Sequence, residues 1–372
     1  MIVVIGTGLA GYSLVREFRK VDRVTPVLML SADDGASYSK PMLSTAFAKS
    51  KTATDLAVAG AGAMAEQLGV EIRIHTRVTG LLPETREILI GNERLSYERL
   101  VLALGAEPRS VPLAGDGAAE VLAVNDLGDY RRLRERLRPG ARVAILGAGL
   151  IGCEFAEDFV AGGMQVRVIA PSATALPLLV PSAVGDALVA GLAARGVDFH
   201  LGRVAQRIER RAERLVLWLD DGASLDADVV VSAIGLRPRV ELARAGGLDV
   251  GQGVRVDALC RSSDPHIFAL GDCAEVDGRN LLYVQPLMEC ARALARTLSG
   301  TETAVRYPPM PVIVKTPACP VVALTPEGEG SWCCEEWGEQ GVRALFRGVD
   351  GRLDGFALAG RCVEQKQTLT AE

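Results

Sequence analysis

The chain has 372 residues, 49% of them hydrophobic, and a formal net charge of −5. That length allows two or three packed domains, and the apolar share excludes a disordered chain. The negative balance argues against nucleic acid as a partner, since phosphate binding wants a basic surface. No apolar run approaches the ~18 residues of a membrane helix. The first strand begins at Ile2 with no basic leader before it, so no membrane association and a cytoplasmic location are expected.

In chain order, "MIVVI" reads as a buried strand. It runs into Gly6, Gly8 and Gly11, after which "YSLVREFRK" has helical spacing. A second strand, "TPVLML", ends at a tip formed by Ser31 and Ala32, with Asp33 just beyond. After "SYSKPMLSTAFAKSK" and "GVEIRIHTRVTGLLPE", the strand in "LVLALGAEPR" ends at Gly105, and a link bearing Pro108 and Pro112 follows. The arginine-rich "DYRRLRERLRPGAR" reads as a solvated helix face. The opening pattern then returns: "RVAIL", Gly147, Gly149 and Gly152, and the helix "CEFAEDFVAGG". The next strand tip is Ala170, Pro171 and Ser172. "GVDFHLGRVAQRIER" and "VVVSAIGLRPR", ending at Gly235, repeat the earlier segments. The end of the chain holds "IFALGDCAEV", a helix "LMECARALARTLSG", and a region rich in proline and β-branched residues from "YPPMPVIVKTPACPVVAL" onward.

A strand, a G-x-G-x-x-G turn and a helix form a dinucleotide cradle. The glycines permit the tight turn and the close approach of a pyrophosphate, which meets the positive end of the helix dipole. Two copies imply two dinucleotides, most simply a flavin that stays and a nicotinamide that comes and goes. The predicted fold is α/β: two Rossmann-like domains, the first split by the second, and a small α+β C-terminal domain. The predicted boundaries are 1–107 with 236–304, 108–235, and 305–372. The second strand tip has neither an acid to read a ribose nor a neighbouring arginine to read a 2′-phosphate. The absent arginine tilts the expectation toward NADH, with NADPH left open. Eight cysteines and three histidines form no metal-ligand cluster, so no metal is expected and the thiols are read as reduced.

The glycine turns, the "SAIGLRPR" exit and "IFALGDCAE" resemble, over the whole chain, the two-dinucleotide flavoprotein reductases, the family of glutathione reductase and the ferredoxin reductases. Disulfide reductases of that family carry a cysteine pair after the first ribose strand. Here that region has none, and the first cysteine is Cys153. The resemblance therefore implies a flavin that passes electrons directly to an outside acceptor. "TGLAGY", "SYSKPMLST", "GAGLIGCEFA" and "VKTPACP" are similar to the branch that serves rubredoxin; a ferredoxin or flavorubredoxin acceptor is the alternative. Thr45 stands where oxygenase-type ferredoxin reductases usually carry lysine.

The resemblance implies that FAD is held by Gly6, Thr7, Gly8, Leu9, Ala10, Gly11, Ser31, Ala32, Asp33, Lys40, Val78, Gly105, Glu154, Asp272, Val284 and Lys315. It implies that NAD(H) is held by Gly147, Gly149, Leu150, Ile151, Gly152 and Gly235. Lys40 and Glu154 are expected to tune the flavin, often as a pair, with Lys315 toward the other end of its ring. The plainer readings are a solvated loop lysine for Lys40, a helix-first-turn acid for Glu154 and a helix cap for Asp272. A rubredoxin or similar small iron protein would dock transiently near the flavin, and the short C-terminal domain suggests a monomer. A non-enzymatic, nucleotide-sensing flavoprotein is the remote alternative, without the long insertions of such proteins.

Overall fold

The computed structural model describes residues 1–338 and 341–371. The chain divides into two compact units, 1–40 with 55–107 and 236–308, and 41–54 with 108–235 and 309–372. In the first unit β1 (Ile2–Ile5) leads into α1 (Leu9–Val21), β2 (Val27–Leu30), β3 (Glu71–Arg73) and β4 (Arg99–Leu102). The second unit holds β5 (Leu122–Ala123), α2 (Leu127–Arg136), β6 (Arg142–Leu146), α3 (Leu150–Ala161), β7 (Gln165–Ala170), α4 (Ser182–Ala193) and β8 (Val197–Leu201). It continues through β9 (Ala205–Arg211), β10 (Arg214–Leu219), β11 (Ser224–Ala227) and β12 (Val229–Ser232). The first unit resumes with β13 (Ile267–Ala269) and α5 (Val284–Leu298). The second closes with β14 (Val312–Val314), β15 (Val321–Leu324), β16 (Gly330–Glu336), β17 (Gly341–Gly348) and β18 (Leu353–Gly360).

Each unit is built on a parallel five-stranded sheet. The orders are β13-β4-β1-β2-β3 and β5-β12-β6-β7-β8. All four residues of β1 are buried, as in a strand covered on both faces. A three-stranded antiparallel meander precedes the fourth strand of each repeat. It comprises Gly80–Leu82, Glu87–Ile90 and Glu93–Ser96 in one, and β9 to β11 in the other. The expected α/β repeat is therefore present in full.

One local expectation changes. Both helices begin earlier than the sequence suggested, at Leu9 and Leu150, because Gly8 and Gly149 are their N-caps and the third glycine lies inside the first turn. The strand-rich C-terminal region forms an antiparallel sheet, β14-β15-β18-β17-β16. One face of that sheet shares a core with α4: Val314, Val321, Ala344 and Ala357 join Leu188 and Leu192. Gly191 on α4 permits this contact, since a Cβ there would lie 2.5 Å from the Cβ of Cys319. The other face, with Val322, Phe356 and Leu358, is covered by Cys362 and Leu369.

Candidate active site

The two glycine turns divide their labour in the same way. Gly6 and Gly147 have φ of +118° and +111°, a region that disfavours side chains. A Cβ on Gly6 would run into the carbonyl of Ala103, and one on Gly147 would lie 2.6 Å from the carbonyl oxygen of Ala233. A Cβ on Gly11 or Gly152 would meet the carbonyl of Gly6 or Gly147 respectively. The middle glycines differ: a Cβ on Gly8 or Gly149 would meet nothing within 4 Å. Neither α1 nor α3 has a side-chain cap. Each first turn thus offers backbone N–H groups and the positive end of a dipole beside open space. The residues present fit a pyrophosphate at both turns.

Around the first turn the structure gathers most of the expected residues of that unit. The Thr7 and Ser31 hydroxyls lie 2.5 Å apart, and Ser31 donates to Asp33 Oδ1 at 2.5 Å. The N–H of Gly35 donates to the same oxygen at 2.9 Å. Asp33 is thereby fixed yet exposed at the tip of β2, beside Ala32. Gly271 has φ of +74°, and a Cβ there would lie 2.7 Å from the Cβ of Ala10. That contact sets Asp272 beside the start of α1. Lys40 Nζ lies 3.6 Å from Asp272 Oδ2, and Asn280 donates to the Asp272 carbonyl at 3.2 Å. Val284 opens α5 and is 40% exposed, with no side-chain cap before it. Val78 is half-buried against the core of this unit, and Gly105, with φ of +69°, accepts from the N–H of Arg239 at 3.0 Å.

In the second unit α3 carries three acids at helical spacing, Glu154, Glu157 and Asp158, and uses them as clamps. Glu154 is 1% exposed. Its Oε1 accepts the backbone N–H of Lys315 at 3.0 Å. Its Oε2 lies 3.1 Å from Lys315 Nζ and also accepts the Ser44 hydroxyl. Lys315 Nζ donates in turn to the Pro41 carbonyl. Glu157 accepts from Ala318 N at 2.9 Å, and Asp158 accepts from Phe47 N at 2.8 Å and Ala48 N at 3.1 Å. Burial pushes the carboxyls of Glu157 and Asp158 above the ordinary carboxylate range. Within the second unit the cation that Glu154 receives is Lys315. The reason is local: Lys315 meets Glu154 through its backbone as well as its ammonium. Sequence reasoning missed Ser44, Glu157 and Asp158, although the spacing of acids in "CEFAED" was the available signal.

At the far end of the second turn Ala170 closes β7, with Leu150 and Ile151 opening α3 and Gly235, φ +103°, following β12. The expectation of no arginine nearby needs correcting. Arg203, 33 residues further on, donates its N–H to the Ala170 carbonyl at 3.0 Å, because β8 pairs in register with β7. Its side chain is taken by Asp221, with Nε 2.7 Å from Oδ2.

The chain belongs to the pyridine nucleotide-disulphide oxidoreductase family. A sequence profile of that family matches residues 1–297, and a profile described as a rubredoxin binding C-terminal domain matches 304–372. The chain is 50% identical to a rubredoxin-NAD(+) reductase of Alcanivorax borkumensis, covering all of this chain and 98% of that protein. It is 42% identical to the rubredoxin-NAD(+) reductase of Acinetobacter baylyi, over 99% of this chain and 96% of the relative. Among solved structures, the covalent putidaredoxin reductase–putidaredoxin complex aligns at a TM-score of 0.91 and 25% identity, over 100% of this chain and 93% of that one. A ferredoxin reductase from Rhodopseudomonas palustris aligns at 0.89 and 25%, over 98% and 92%.

Despite the family's description, the thiol nearest the second turn is poorly placed for disulfide chemistry. All eight cysteines are free, and only Cys333 and Cys334 are exposed. Cys153, beside the second turn, is fully buried, and burial pushes its thiol up to about 12. A thiol so rarely ionised is a weak nucleophile. No helix of the described residues is long and apolar enough to cross a membrane.

Proposed function

We propose that the chain passes electrons from NADH through FAD to rubredoxin or a similar small iron protein. The observation that carries this is the pair of open glycine cradles, one in each unit, on a chain whose residues 304–372 match a rubredoxin-binding domain. Family membership implies FAD and a nicotinamide dinucleotide. In this reading 1–107 with 236–304 holds FAD, 108–235 holds NADH, and 305–372 serves the acceptor.

Bound FAD supplies the conversion between a two-electron hydride and single electrons. The chain's own work is to bind and orient. The turn from Gly6 to Gly11 receives the FAD pyrophosphate, Asp33 receives ribose hydroxyls, and Asp272 with Lys40 and Val284 receives the ribityl and ring end. The turn from Gly147 to Gly152, with Gly235, receives the NADH pyrophosphate. Glu154 binds Ser44 and Lys315 and so fixes the "SKPMLS" and "VKTPACP" segments against α3. A proton-relay role for Glu154 is not needed, because hydride and electron transfer require little acid–base chemistry.

An acceptor screen tests the proposal. The flavin-loaded protein, supplied with NADH, should turn over rubredoxin faster than ferredoxin or flavorubredoxin. Equal or better turnover of ferredoxin would replace the acceptor while keeping the two cofactors.

A further inference from the structure

The preference between NADH and NADPH is decided at the adenosine ribose, beyond the tip of β7. That tip, Ala170 to Ser172, has no carboxylate that could favour NADH by binding a 2′-hydroxyl. Any discrimination must therefore come from what NADPH is denied. The one arginine whose backbone bonds to the tip is Arg203. Its N–H donates to Ala170 O at 3.0 Å, while Gly202 N donates to Ser172 O at 2.9 Å. An arginine is long enough to reach a 2′-phosphate from there, and the guanidinium fork suits that group.

The guanidinium is already engaged. Its Nε lies 2.7 Å from Asp221 Oδ2, and Nη1 donates to Gly202 O at 3.2 Å, which folds the side chain back on its own backbone. Asp221 occupies the turn between β10 and β11, and that turn is anchored without help from the arginine. Ala223 N donates to Asp221 Oδ1 at 3.0 Å. Asp220 N donates to Val204 O at 3.0 Å, and Val204 N to Asp220 Oδ1 at 3.1 Å. The carboxylate is therefore held in place before the arginine meets it. Both side chains are well exposed, 45% for Arg203 and 36% for Asp221. Exposed ion pairs contribute little to stability, so this one can be altered without unfolding the chain.

We propose that Asp221 is a specificity-determining residue: it occupies Arg203, so that a 2′-phosphate finds the guanidinium beside the tip of β7 already engaged. Specificity built by withholding a partner costs the preferred ligand nothing. The inference rests on the nicotinamide site proposed above.

The test is calorimetric titration of the flavin-loaded full chain with NAD⁺, NADP⁺ and adenosine 2′,5′-bisphosphate. Asp221→Asn should tighten NADP⁺ and the bisphosphate about three- to fivefold, the scale of freeing one exposed ion pair, while NAD⁺ affinity moves far less. Adding Arg203→Gln should erase the gain. Unchanged NADP⁺ affinity in Asp221→Asn, or a gain that survives the loss of Arg203, would overturn the inference while NAD⁺ binds normally. Failure of the wild-type chain to bind NAD⁺ would instead overturn the site itself, and this inference with it.

Discussion

Glu154 holds Lys315 twice, by the backbone N–H at 3.0 Å and by the ammonium at 3.1 Å, across 161 residues of sequence. The carboxylate is buried, and Lys315 is its only cationic partner among the described residues. Removing one member of a buried pair strands the other charge, at a cost of about 3–5 kcal/mol. Lys315→Met should therefore cost about 3 kcal/mol, the low end because the ammonium is partly exposed. Glu154→Gln should cost less, since an amide can still accept from Lys315 N. Chemical denaturation of both variants checks the order.

The glycines separate fold from binding. Gly8 and Gly149 have φ of −70° and −77°, which alanine adopts freely, and their missing side chains face open space. Gly8→Ala should fold within about 1 kcal/mol of wild type yet lose flavin. Gly149→Ala should keep flavin and stability but bind NADH far more weakly. Gly6→Ala and Gly152→Ala should instead be destabilised, because their Cβ atoms would strike backbone carbonyls. Flavin content, NADH affinity and unfolding midpoint read the three effects apart.

A pH dependence follows from Asp158. Burial raises its folded-state pKa above the unfolded value, despite the N–H groups of Phe47 and Ala48, which lower it. Such a group contributes most below the unfolded value, about 3.9, and its contribution is lost as pH rises through the folded value. Asp158→Asn cannot titrate. The stability of wild type relative to Asp158→Asn should therefore fall as pH rises from about 4; denaturation curves at several pH values measure it. A difference that grows with pH would contradict the assignment.

The acceptor surface can be tested through charge. Lys49 is exposed beside Asp158, and the Lys51 carbonyl accepts from the Tyr130 hydroxyl at 2.9 Å. Arg134 of α2 lies over the Phe47 ring, 4.7 Å from its centroid. The segment that carries these lysines thus adjoins the arginine-rich helix α2. Replacing Lys49 and Lys51 by glutamate should slow reduction of an acidic rubredoxin and weaken its salt dependence, while reduction by NADH stays nearly intact. Stopped-flow rates at low and high ionic strength check this.

Much of the architecture was legible because it is local. A strand, a glycine turn and a helix occupy about 20 consecutive residues, and the repeat doubled the signal at Gly6 and Gly147. What was illegible depends on neighbours far apart in sequence. Arg203 meets Ala170 only because β8 lies beside β7. Lys315 meets Glu154 only because the segment after β14 packs against α3. The strand content of residues 305–372 was readable from composition, but the core it shares with α4 was not, since its apolar alternation names no partner.

In the proposed reaction electrons pass from NADH to a one-electron iron acceptor without a thiol relay. Anaerobic titration followed by rapid mixing with oxidised rubredoxin tests it most directly. About one equivalent of NADH should bleach the flavin in a single phase, and each NADH consumed should reduce two rubredoxins, because the donor gives two electrons and each iron takes one. A requirement for a second equivalent of NADH before rubredoxin is reduced, with loss of that requirement in a cysteine variant, would contradict it.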